Sequence, residues 1–502
     1  MCFYDLDQGG KISDIYTAAL CIHLFINYSC NCLKLSSMYG AHMSSIISPS
    51  LFKPELLSPA GSLKNMRYAF AYGADAVYAG QPRYSLRVRN NEFDLTHLEM
   101  GINEAHAQNK KFYVVSNIAP HNAKVNSYLR DIEPVIAMKP DALIMSDPGL
   151  IMLVREKWPN MPIHLSVQAN AVNYASVLFW AKQGIERVIL SRELSLEEIA
   201  EIRTLCPNTQ LEVFVHGALC MAYSGRCLLS GYINKRDPNQ GTCTNACRWD
   251  YDVKPGVENE TGEMVHKIDP KQVIPTLGEG APSDEIVMLE EQGRPGEFMP
   301  AFEDEHGTYI MNSKDLRAVQ YVEQLTKMGV HSLKIEGRTK SFYYVARTAQ
   351  VYRKAIDDAV AGKPFDARLF KTLENLAHRG YTEGFLKRHA HQDYQNYDYG
   401  HSVSDQQQFV GEVLGRTANG LVEIDVKNKF CIGHSLELMT PQGNITFTLD
   451  FMENKKGESI SDAKGSGHIV KIPVPENINL EYAILMRNLD EHQDTRNPFK
   501  KQ

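Results

Sequence analysis

The sequence predicts an α/β protein: a TIM-like (β/α)8 barrel with a loop insertion, followed by a small C-terminal all-β domain. Three observations predict this architecture. From Leu51 onward, short apolar segments alternate with segments of helical period. Residues 249–308 interrupt this alternation, and from about residue 408 apolar and polar residues alternate singly, with turns between. Apolar strands separated by helices are typical of a parallel sheet covered by helices, and eight such units close a barrel.

Nine segments have the short apolar or β-branched composition of strands, one more than a barrel needs. They are residues 55–58, 76–79, 112–116, 142–146, 163–167, 187–191, 211–215, 309–312 and 332–336. We therefore expect at least one of the nine to lie outside the barrel or not to form. An open doubly wound sheet is the alternative, and it is disfavoured because no G-x-G-x-x-G motif follows the first strand.

Helical periodicity between the strands is clearest in residues 62–72, 95–108 and 196–205. Ser195 and Glu198 have the spacing of a capping box, which fixes the start of the third of these helices. A later helix is expected to run to about Ala361, and a short helical region to cover residues 373–386.

These patterns divide the chain into three parts. Residues 1–48 are expected to be a poorly ordered N-terminal extension, residues 49–395 to form the barrel, and residues 396–502 to form the β domain. In the β domain, alternation marks strands at residues 420–426, 435–439 and 445–449. The insertion at about 249–308 is rich in proline, glycine and acidic residues, which predicts a solvated surface segment.

Composition excludes several classes of protein. The 53 lysines and arginines against 60 acidic residues give a net charge of −7, so the chain is not a general polyanion binder, and RNA contact requires a local basic patch. Ten cysteines in 502 residues are too few for a disulfide scaffold, which predicts a cytoplasmic location. The longest apolar runs fall short of the ~20 residues that cross a bilayer, so no membrane partner is expected.

Four cysteines lie close together, directly after the predicted strand 211–215. They are Cys220, Cys227, Cys243 and Cys247, with the spacing C-x6-C-x15-C-x3-C. The carboxyl end of a barrel strand is where such enzymes carry their chemistry. Three interpretations remain open: two disulfides, a tetrahedral structural zinc site, or a 4Fe–4S cluster. A reducing compartment disfavours disulfides, and zinc usually takes shorter spacings, so the iron–sulfur cluster is favoured.

Other polar residues also follow predicted strands. Glu336 and Arg338 end the last strand, where they are candidates for anchoring an anionic substrate, although a structural ion pair is the alternative. His216 ends the strand before the cysteines and is either a catalytic group or a hydrogen-bonded rim residue. The candidates for holding a small substrate are Gln168, Asn170, Arg192 and Arg226.

Basic residues interleaved with aromatics suit RNA, because phosphates need cations and unpaired bases need stacking partners. The candidates for RNA contact are Arg83, Arg87, Arg89 and Lys340. The tyrosines and phenylalanine near Lys340 lie at helical spacing, so some of them must belong to the core. Protease motifs are absent: no H-E-x-x-H occurs, and residues 222–225 lack the first glycine of a nucleophile elbow.

Several segments resemble peptidase family U32, the collagenase-like peptidases. They are EVFVHGALCMAYSGRCLLSGY (212–232), GTCTNAC (241–247), LLSPAG (56–61), ADAVYAG (74–80), LSVQANAVN (165–173), MNSKDL (311–316) and LKIEGR (333–338). The resemblance extends from Leu51 to about Pro498 and is strongest to the bacterial members that hydroxylate tRNA.

This resemblance implies a barrel followed by a small β domain, and a 4Fe–4S cluster on the four clustered cysteines. It also implies a tRNA uridine hydroxylase that converts the wobble uridine in the anticodon arm to 5-hydroxyuridine, with prephenate as the hydroxyl donor. A U32-type peptidase and a non-catalytic RNA-binding protein with structural zinc are the alternatives.

Overall fold

The computed structural model describes residues 52–86, 92–219, 223, 314–378, 380–387 and 406–489, and the backbone of six strands between 251 and 308. The chain from Leu51 to Gln502 is one compact unit. The predicted extension, residues 1–48, lies outside the described residues. No helix in the described ranges is long and apolar enough to cross a membrane.

The first seven barrel strands follow one another along the chain, and each pairs in parallel with the next. They are β1 (Glu55–Pro59), β2 (Ala76–Gly80), β3 (Lys111–Ser116), β4 (Ala142–Met145), β5 (Ile163–Leu165), β6 (Arg187–Ile189) and β7 (Gln210–Ala218). The helices between them are α1 (Leu63–Ala71), α2 (Leu95–Ala107), α3 (Asn122–Ala137), α4 (Pro148–Lys157), α5 (Tyr174–Lys182) and α6 (Leu196–Leu205).

After β7 the insertion contains strands. They are β8 (Tyr251–Glu258), β9 (Met264–His266), β10 (Val287–Glu291), β11 (Phe298–Ala301), β12 (Glu303–Asp304) and β13 (Gly307–Thr308). The first four form an antiparallel sheet in the order β11-β10-β8-β9, and β12 pairs with β13. The insertion is therefore not all loop. Apolar and polar residue types alternate in 251–258, which is a strand pattern. The prediction of a solvated surface segment gave more weight to the acidic composition of the whole insertion.

The chain then returns to the barrel through β14 (Asp315–Arg317), which runs antiparallel to the end of β7, and α7 (Val322–Lys327). β15 (Ser332–Ile335) pairs in parallel with both β7 and β1, and so closes a barrel of eight described strands. The barrel is thus confirmed. Eight of the nine predicted strands form it, and the ninth, 309–312, lies outside the described residues.

Two local predictions were wrong. Residues 373–386 are not one helical region: α8 (Phe342–Val360) is followed by α9 (Arg368–Glu374) and then by β16 (Tyr381–Thr382), which pairs with β14. Gly380, at φ +78°, takes the backbone out of the helical region before β16. The fifth strand also ends earlier than predicted, because a 3-10 turn at Val167–Ala169 replaces its last residues.

The C-terminal domain is all-β, as predicted, and its strands pair antiparallel. Its strands are β17 (Gln407–Arg416), β18 (Val422–Val426), β19 (Phe430–Cys431), β20 (Ser435–Thr440), β21 (Gly443–Thr448), β22 (Glu453–Asn454), β23 (Asp462–Ala463), β24 (Ile469–Ile472) and β25 (Ile484–Asn488). Seven of them form one sheet in the order β21-β20-β25-β17-β18-β24-β22. The inward side chains of these strands build a separate apolar core.

Side-chain caps explain where many helices begin. Six described helices follow a residue whose side chain accepts the backbone N–H three positions further on: Ser62, Asp94, Asp147, Asn173, Ser195 and Ser341. Such caps satisfy N–H groups that the first helical turn leaves without partners. The predicted capping box of Ser195 and Glu198 is present.

Buried polar contacts join the barrel to the β domain. Arg347 of α8 is 1% exposed and donates to Glu437 Oε1 at 2.9 Å and to Gln407 Oε1 at 3.1 Å. Tyr72 donates its hydroxyl to the carbonyl oxygen of Tyr482 at 2.9 Å. These bonds hold the β domain against α1 and α8.

The inside of the barrel carries charges. Arg187 Nη1 lies 2.6 Å from Glu55 Oε1 and 3.2 Å from Glu212 Oε2, and Lys334 Nζ lies 2.7 Å from Glu212 Oε1. Tyr113 donates its hydroxyl to Glu55 Oε2 at 2.8 Å. Burial alone would raise the pKa of Glu55, but Arg187 and its other neighbours outweigh this, so the pKa lies below its usual value and the carboxylate stays ionised.

Candidate active site at the barrel mouth

The mouth is the end of the barrel formed by the carboxyl ends of its eight strands. Residues Glu336, Gly337 and Arg338 cross it directly after β15. Glu336 donates its backbone N–H to the carbonyl oxygen of His216 at 2.9 Å. Gly217 lies below at φ +106°, and a Cβ there would lie 2.6 Å from the carbonyl oxygen of Glu336. Glycine at that position therefore lets this segment lie against β7.

An ion pair joins two predicted site residues over the end of β7, between the ends of β6 and β15. Arg192 Nη2 lies 2.7 Å from Glu336 Oε2, and Arg192 Nη1 donates to the carbonyl oxygen of Ala218 at 2.9 Å. The guanidinium also lies over the ring of Phe214, 3.9 Å from its centre. Ala218 ends β7 and precedes Cys220 by two residues. The last described residues before the cysteines therefore lie beside this pair.

Arg338 lies over the ends of β1 and β2, on the other side of β15 from Arg192. Its Nη2 donates to the carbonyl oxygen of Leu86 at 2.8 Å, and its guanidinium lies 5.9 Å from the ring centre of Tyr78. Leu86 in turn donates its backbone N–H to Asn117 Oδ1 at 3.2 Å. Asn117 also donates to Ser166 Oγ at 3.1 Å. Hydrogen bonds thus link the loops after β2, β3 and β5.

Gln168 and Asn170 lie on the 3-10 turn after β5 and are partly exposed. Asn170 adopts a left-handed conformation at φ +52°, and its Oδ1 accepts from Ser191 Oγ at 3.4 Å. Ser191 is next to Arg192, so Asn170 lies on the same part of the rim as the ion pair.

His216 is 1% exposed and lies in an aromatic cluster. Its ring centre lies 5.8 Å from that of Tyr344, 5.5 Å from that of Tyr352 and 5.6 Å from that of Tyr381. Its Nδ1 lies 3.3 Å from the hydroxyl oxygen of Tyr352. Burial lowers the pKa of His216 to about 3, so the ring is neutral at physiological pH. This environment fits packing better than proton donation.

Two predicted RNA contacts lie in described residues. Arg83 follows β2 with its side chain 61% exposed, and Nη1 lies 2.8 Å from Asp131 Oδ2. Lys340 lies above the ring of Tyr344, with Nζ 5.3 Å from the ring centre. The other predicted site residues lie outside the described residues: Arg87, Arg89, Arg226, Cys220, Cys227, Cys243 and Cys247. Among the residues described, no group of three or more His, Cys, Asp or Glu side chains is arranged to hold a metal ion.

Sequence reasoning missed the charges inside the barrel. A signal was available, because each is the single acidic or basic residue of its strand, at a position whose side chain faces inward. They are Glu55 in β1, Arg187 in β6, Glu212 in β7 and Lys334 in β15.

Comparisons with known proteins agree with this architecture. The family model of Peptidase family U32 matches residues 61–396, and that of the U32 C-terminal domain matches residues 405–487. The chain is 72% identical over 454 residues to tRNA hydroxylation protein P of Escherichia coli (strain K12), covering 90% of this chain and 100% of that protein.

Two further relatives are informative. The chain is 69% identical over 454 residues to tRNA hydroxylation protein P of Haemophilus influenzae, covering 89% of this chain and 98% of that protein. It is 27% identical over 417 residues to the 23S rRNA 5-hydroxycytidine C2501 synthase of E. coli, covering 81% of this chain and 55% of that protein. The domain matches and the extent of these identities show that the chain belongs to peptidase family U32.

Proposed function

We propose that this protein is a tRNA-modifying hydroxylase that converts the wobble uridine to 5-hydroxyuridine in the cytoplasm. The observation that carries the proposal is the 72% identity to E. coli tRNA hydroxylation protein P over the whole length of that relative. The rRNA 5-hydroxycytidine synthase supports the same class of reaction, because its name places a hydroxyl group on a pyrimidine of RNA. A wobble uridine is unpaired, so the enzyme needs only to unstack it, which costs less than opening a duplex.

The hydroxyl donor in this proposal is prephenate, an anion with two carboxylates. The mouth has the cations for it: Arg338 lies above Tyr78, and Arg192 is paired with Glu336 over the end of β7. Guanidinium groups bind carboxylates through paired, charge-assisted hydrogen bonds. Arg338 is the anchor assigned to an incoming acid in this proposal, while Arg192 and Glu336 line the mouth at the ends of β6 and β15.

The cofactor in this proposal is a 4Fe–4S cluster on Cys220, Cys227, Cys243 and Cys247. Four thiolates are the donor set of such clusters, and Arg192 donates to the carbonyl oxygen of Ala218, two residues before the first of these cysteines. When bound, the cluster supplies a Lewis acid or an electron carrier at the mouth. The protein's own residues bind the acid, hold the loops and exclude water.

Contact with tRNA is assigned to Arg83 and Lys340, together with Arg87 and Arg89. Arg83 is the exposed cation of this set in the described structure, and its pairing with Asp131 on α3 fixes its direction. Phosphate contacts of this kind position an RNA without reading its sequence.

The test is nucleoside mass spectrometry of tRNA from a deletion strain grown under oxygen limitation and complemented with variants. Loss of 5-hydroxyuridine derivatives in the deletion, rescue by the wild type and no rescue by Cys220→Ala are expected. Cys431→Ala is the matched control, because Cys431 lies on β19 in the β domain, bonded to Asp462, and should rescue fully. Unchanged nucleosides in the deletion strain would refute the proposal.

Purified protein separates the alternatives. Anaerobic preparations should be coloured and hold iron and sulfide, whereas a colourless protein with one zinc per chain would favour the RNA-binding alternative. Gelatin degradation that Cys220→Ala abolishes would favour a peptidase.

A further inference from the structure

Two arginines on the rim of the barrel share one carboxylate. Arg83, on the loop after β2, places Nη1 2.8 Å from Asp131 Oδ2, and Arg130 on α3 places Nη2 3.1 Å from Asp131 Oδ1. The two arginine side chains are 61% and 76% exposed, whereas that of Asp131 is 17% exposed. Two guanidiniums against one carboxylate leave an excess of positive charge. The cluster is therefore a local basic patch of the kind that an acidic chain needs for contact with RNA.

Arg83 occupies its position at a conformational cost. Its φ is +72°, in the left-handed region that residues with a Cβ rarely adopt and that glycine adopts freely. An exposed ion pair stabilises a protein only slightly, so the pairing with Asp131 does not explain an arginine at a position suited to glycine. Strained backbone of this kind is concentrated at functional sites. The strain therefore points to a use of the Arg83 side chain other than stability.

Asp131 is held by the loop that carries Arg83. Tyr84, which is 0% exposed, donates its hydroxyl to Asp131 Oδ2 at 2.7 Å. Gln81, which is 2% exposed, donates its side-chain amide to the carbonyl oxygen of Asp131 at 3.4 Å. Because a buried tyrosine fixes the carboxylate, both arginines are paired with an acceptor that does not move. They therefore lose less side-chain freedom when they bind a ligand.

We propose that Arg83 and Arg130 bind a backbone phosphate of the tRNA, and that Asp131 is the positioning residue that holds their guanidiniums next to each other. Guanidinium groups bind phosphate through charge-assisted hydrogen bonds and stay charged at physiological pH. The proposal rests on the proposed function, and it adds a second cation and a positioning carboxylate to the contact assigned to Arg83.

The position of this pair favours an RNA backbone over a small free anion. Both guanidiniums are well exposed, so solvent would screen a single small anion bound there. The loop that carries Arg83 continues to Leu86, whose carbonyl oxygen accepts from Arg338 at the mouth. An RNA strand that contacts the pair therefore passes close to the mouth, and the phosphate contact sets its register without reading its sequence.

The experiment measures the binding of an unmodified tRNA transcript with a wobble uridine to the holoenzyme, by fluorescence anisotropy over a series of salt concentrations. Arg83→Gln and Arg130→Gln should each weaken binding about tenfold at low salt. Each should also reduce the slope of log Kd against log salt by about one. Arg368→Gln is the matched control, because Arg368 also pairs with an aspartate and its side chain is 87% exposed, but it lies at the start of α9. Its Kd and slope should equal those of the wild type.

Two further variants separate binding and positioning from a structural role. Arg83→Gly relieves the strain at φ +72°, so its Tm should equal or exceed that of the wild type while its affinity for tRNA falls. Asp131→Asn removes a negative charge, so charge alone predicts tighter binding of tRNA. Its amide NH2 cannot accept from an arginine, so the loss of positioning predicts weaker binding.

Three results would overturn the phosphate contact. They are tRNA affinities of the two arginine-to-glutamine variants equal to that of Arg368→Gln, a lower Tm of Arg83→Gly with unchanged tRNA affinity, and tighter tRNA binding by Asp131→Asn. The two proposals can fail separately. Wild-type protein that binds tRNA through the two arginines but does not hydroxylate it would refute the function alone. Hydroxylation with a normal KM for tRNA in both arginine variants would refute the phosphate contact alone.

Discussion

Arg192 Nη2 lies 2.7 Å from Glu336 Oε2, while the other end of the same guanidinium donates to the carbonyl oxygen of Ala218 at 2.9 Å. One side chain therefore joins the ends of β6, β7 and β15. The two side chains are 12% and 20% exposed, so solvent screens the pair less than a surface salt bridge. Since Ala218 precedes Cys220 by two residues, Arg192 helps to set the direction in which the chain leaves the barrel.

Arg192→Lys should therefore impair the loading of the proposed cluster more than it impairs folding. Lysine keeps the positive charge but cannot bridge the Glu336 carboxylate and the Ala218 carbonyl in one plane. We expect iron and sulfide per chain to fall and the hydroxylation rate to drop about tenfold, the cost of roughly one charge-assisted hydrogen bond. Iron and sulfide assays on anaerobically purified protein check this.

The control is Arg203→Lys, since Arg203 also donates to backbone carbonyls, those of Cys206, Pro207 and Thr209, but does so at the end of α6. Equal iron content in the two variants would show that Arg192 has no part in positioning the cysteine segment.

Removing Lys334 should destabilise the barrel strongly. Lys334 is 3% exposed and pairs with Glu212, which is 0% exposed, so Lys334→Met leaves a carboxylate short of a partner inside the barrel. Breaking a buried pair in this way costs about 3–5 kcal/mol of the free energy of unfolding. Urea unfolding measures the loss, and the double variant Lys334→Met, Glu212→Gln should recover part of it.

Lys327→Met is the control for this loss. Lys327 pairs with Glu323 on the surface of α7, where both side chains are well exposed, and the change should cost less than about 1 kcal/mol. Equal losses in the two lysine variants would mean that the interior network contributes nothing specific.

The barrel could be predicted from sequence because its strands are short apolar segments at regular spacing, and because caps such as Ser195 with Glu198 mark helix starts locally. The site could be predicted only in part. Glu336 and Arg192 follow strands, so their place at the mouth is a consequence of topology. The contact of Arg338 with the Leu86 carbonyl oxygen is different, because the two residues are 252 apart in the chain and meet only when β15 closes the ring against β1. No local pattern contains that information.

Arg347→Met should loosen the β domain. Arg347 is the centre of the contact between α8 and β20. Methionine would fill its volume but remove the cation that pairs with Glu437, which would keep only the neutral amide donors of Gln407 and Asn444. We expect a loss of about 3–5 kcal/mol for the uncompensated buried carboxylate. Hydrogen exchange should rise in β17 and β20 before it rises in the barrel.

Arg368→Met provides the comparison, since Arg368 pairs with Asp366 but its side chain is 87% exposed. Exchange in β17 and β20 should be the same as in the wild type. If Arg347→Met leaves exchange unchanged as well, the polar contacts do not hold the two domains together.

His216→Phe should flatten the dependence of stability on pH. In the folded protein burial lowers the pKa of His216 to about 3, whereas an unfolded histidine titrates near its usual value of 6.5. Between these values the unfolded chain binds the proton and the folded chain does not, so stability is lost as the pH falls below 6.5. Between pH 7 and pH 5 this one group lowers the free energy of unfolding by about 2 kcal/mol. Phenylalanine fits among the three tyrosines and has no proton to gain, so the variant should lose about 2 kcal/mol less than the wild type over that interval.

Urea unfolding at both pH values checks this prediction. His331 and His164, whose pKa values are also lowered by burial, are present in both proteins, so their contributions cancel in the difference. Equal losses in the two proteins would show that His216 is protonated in the folded state at pH 5, which would return it to consideration as a proton donor at the mouth.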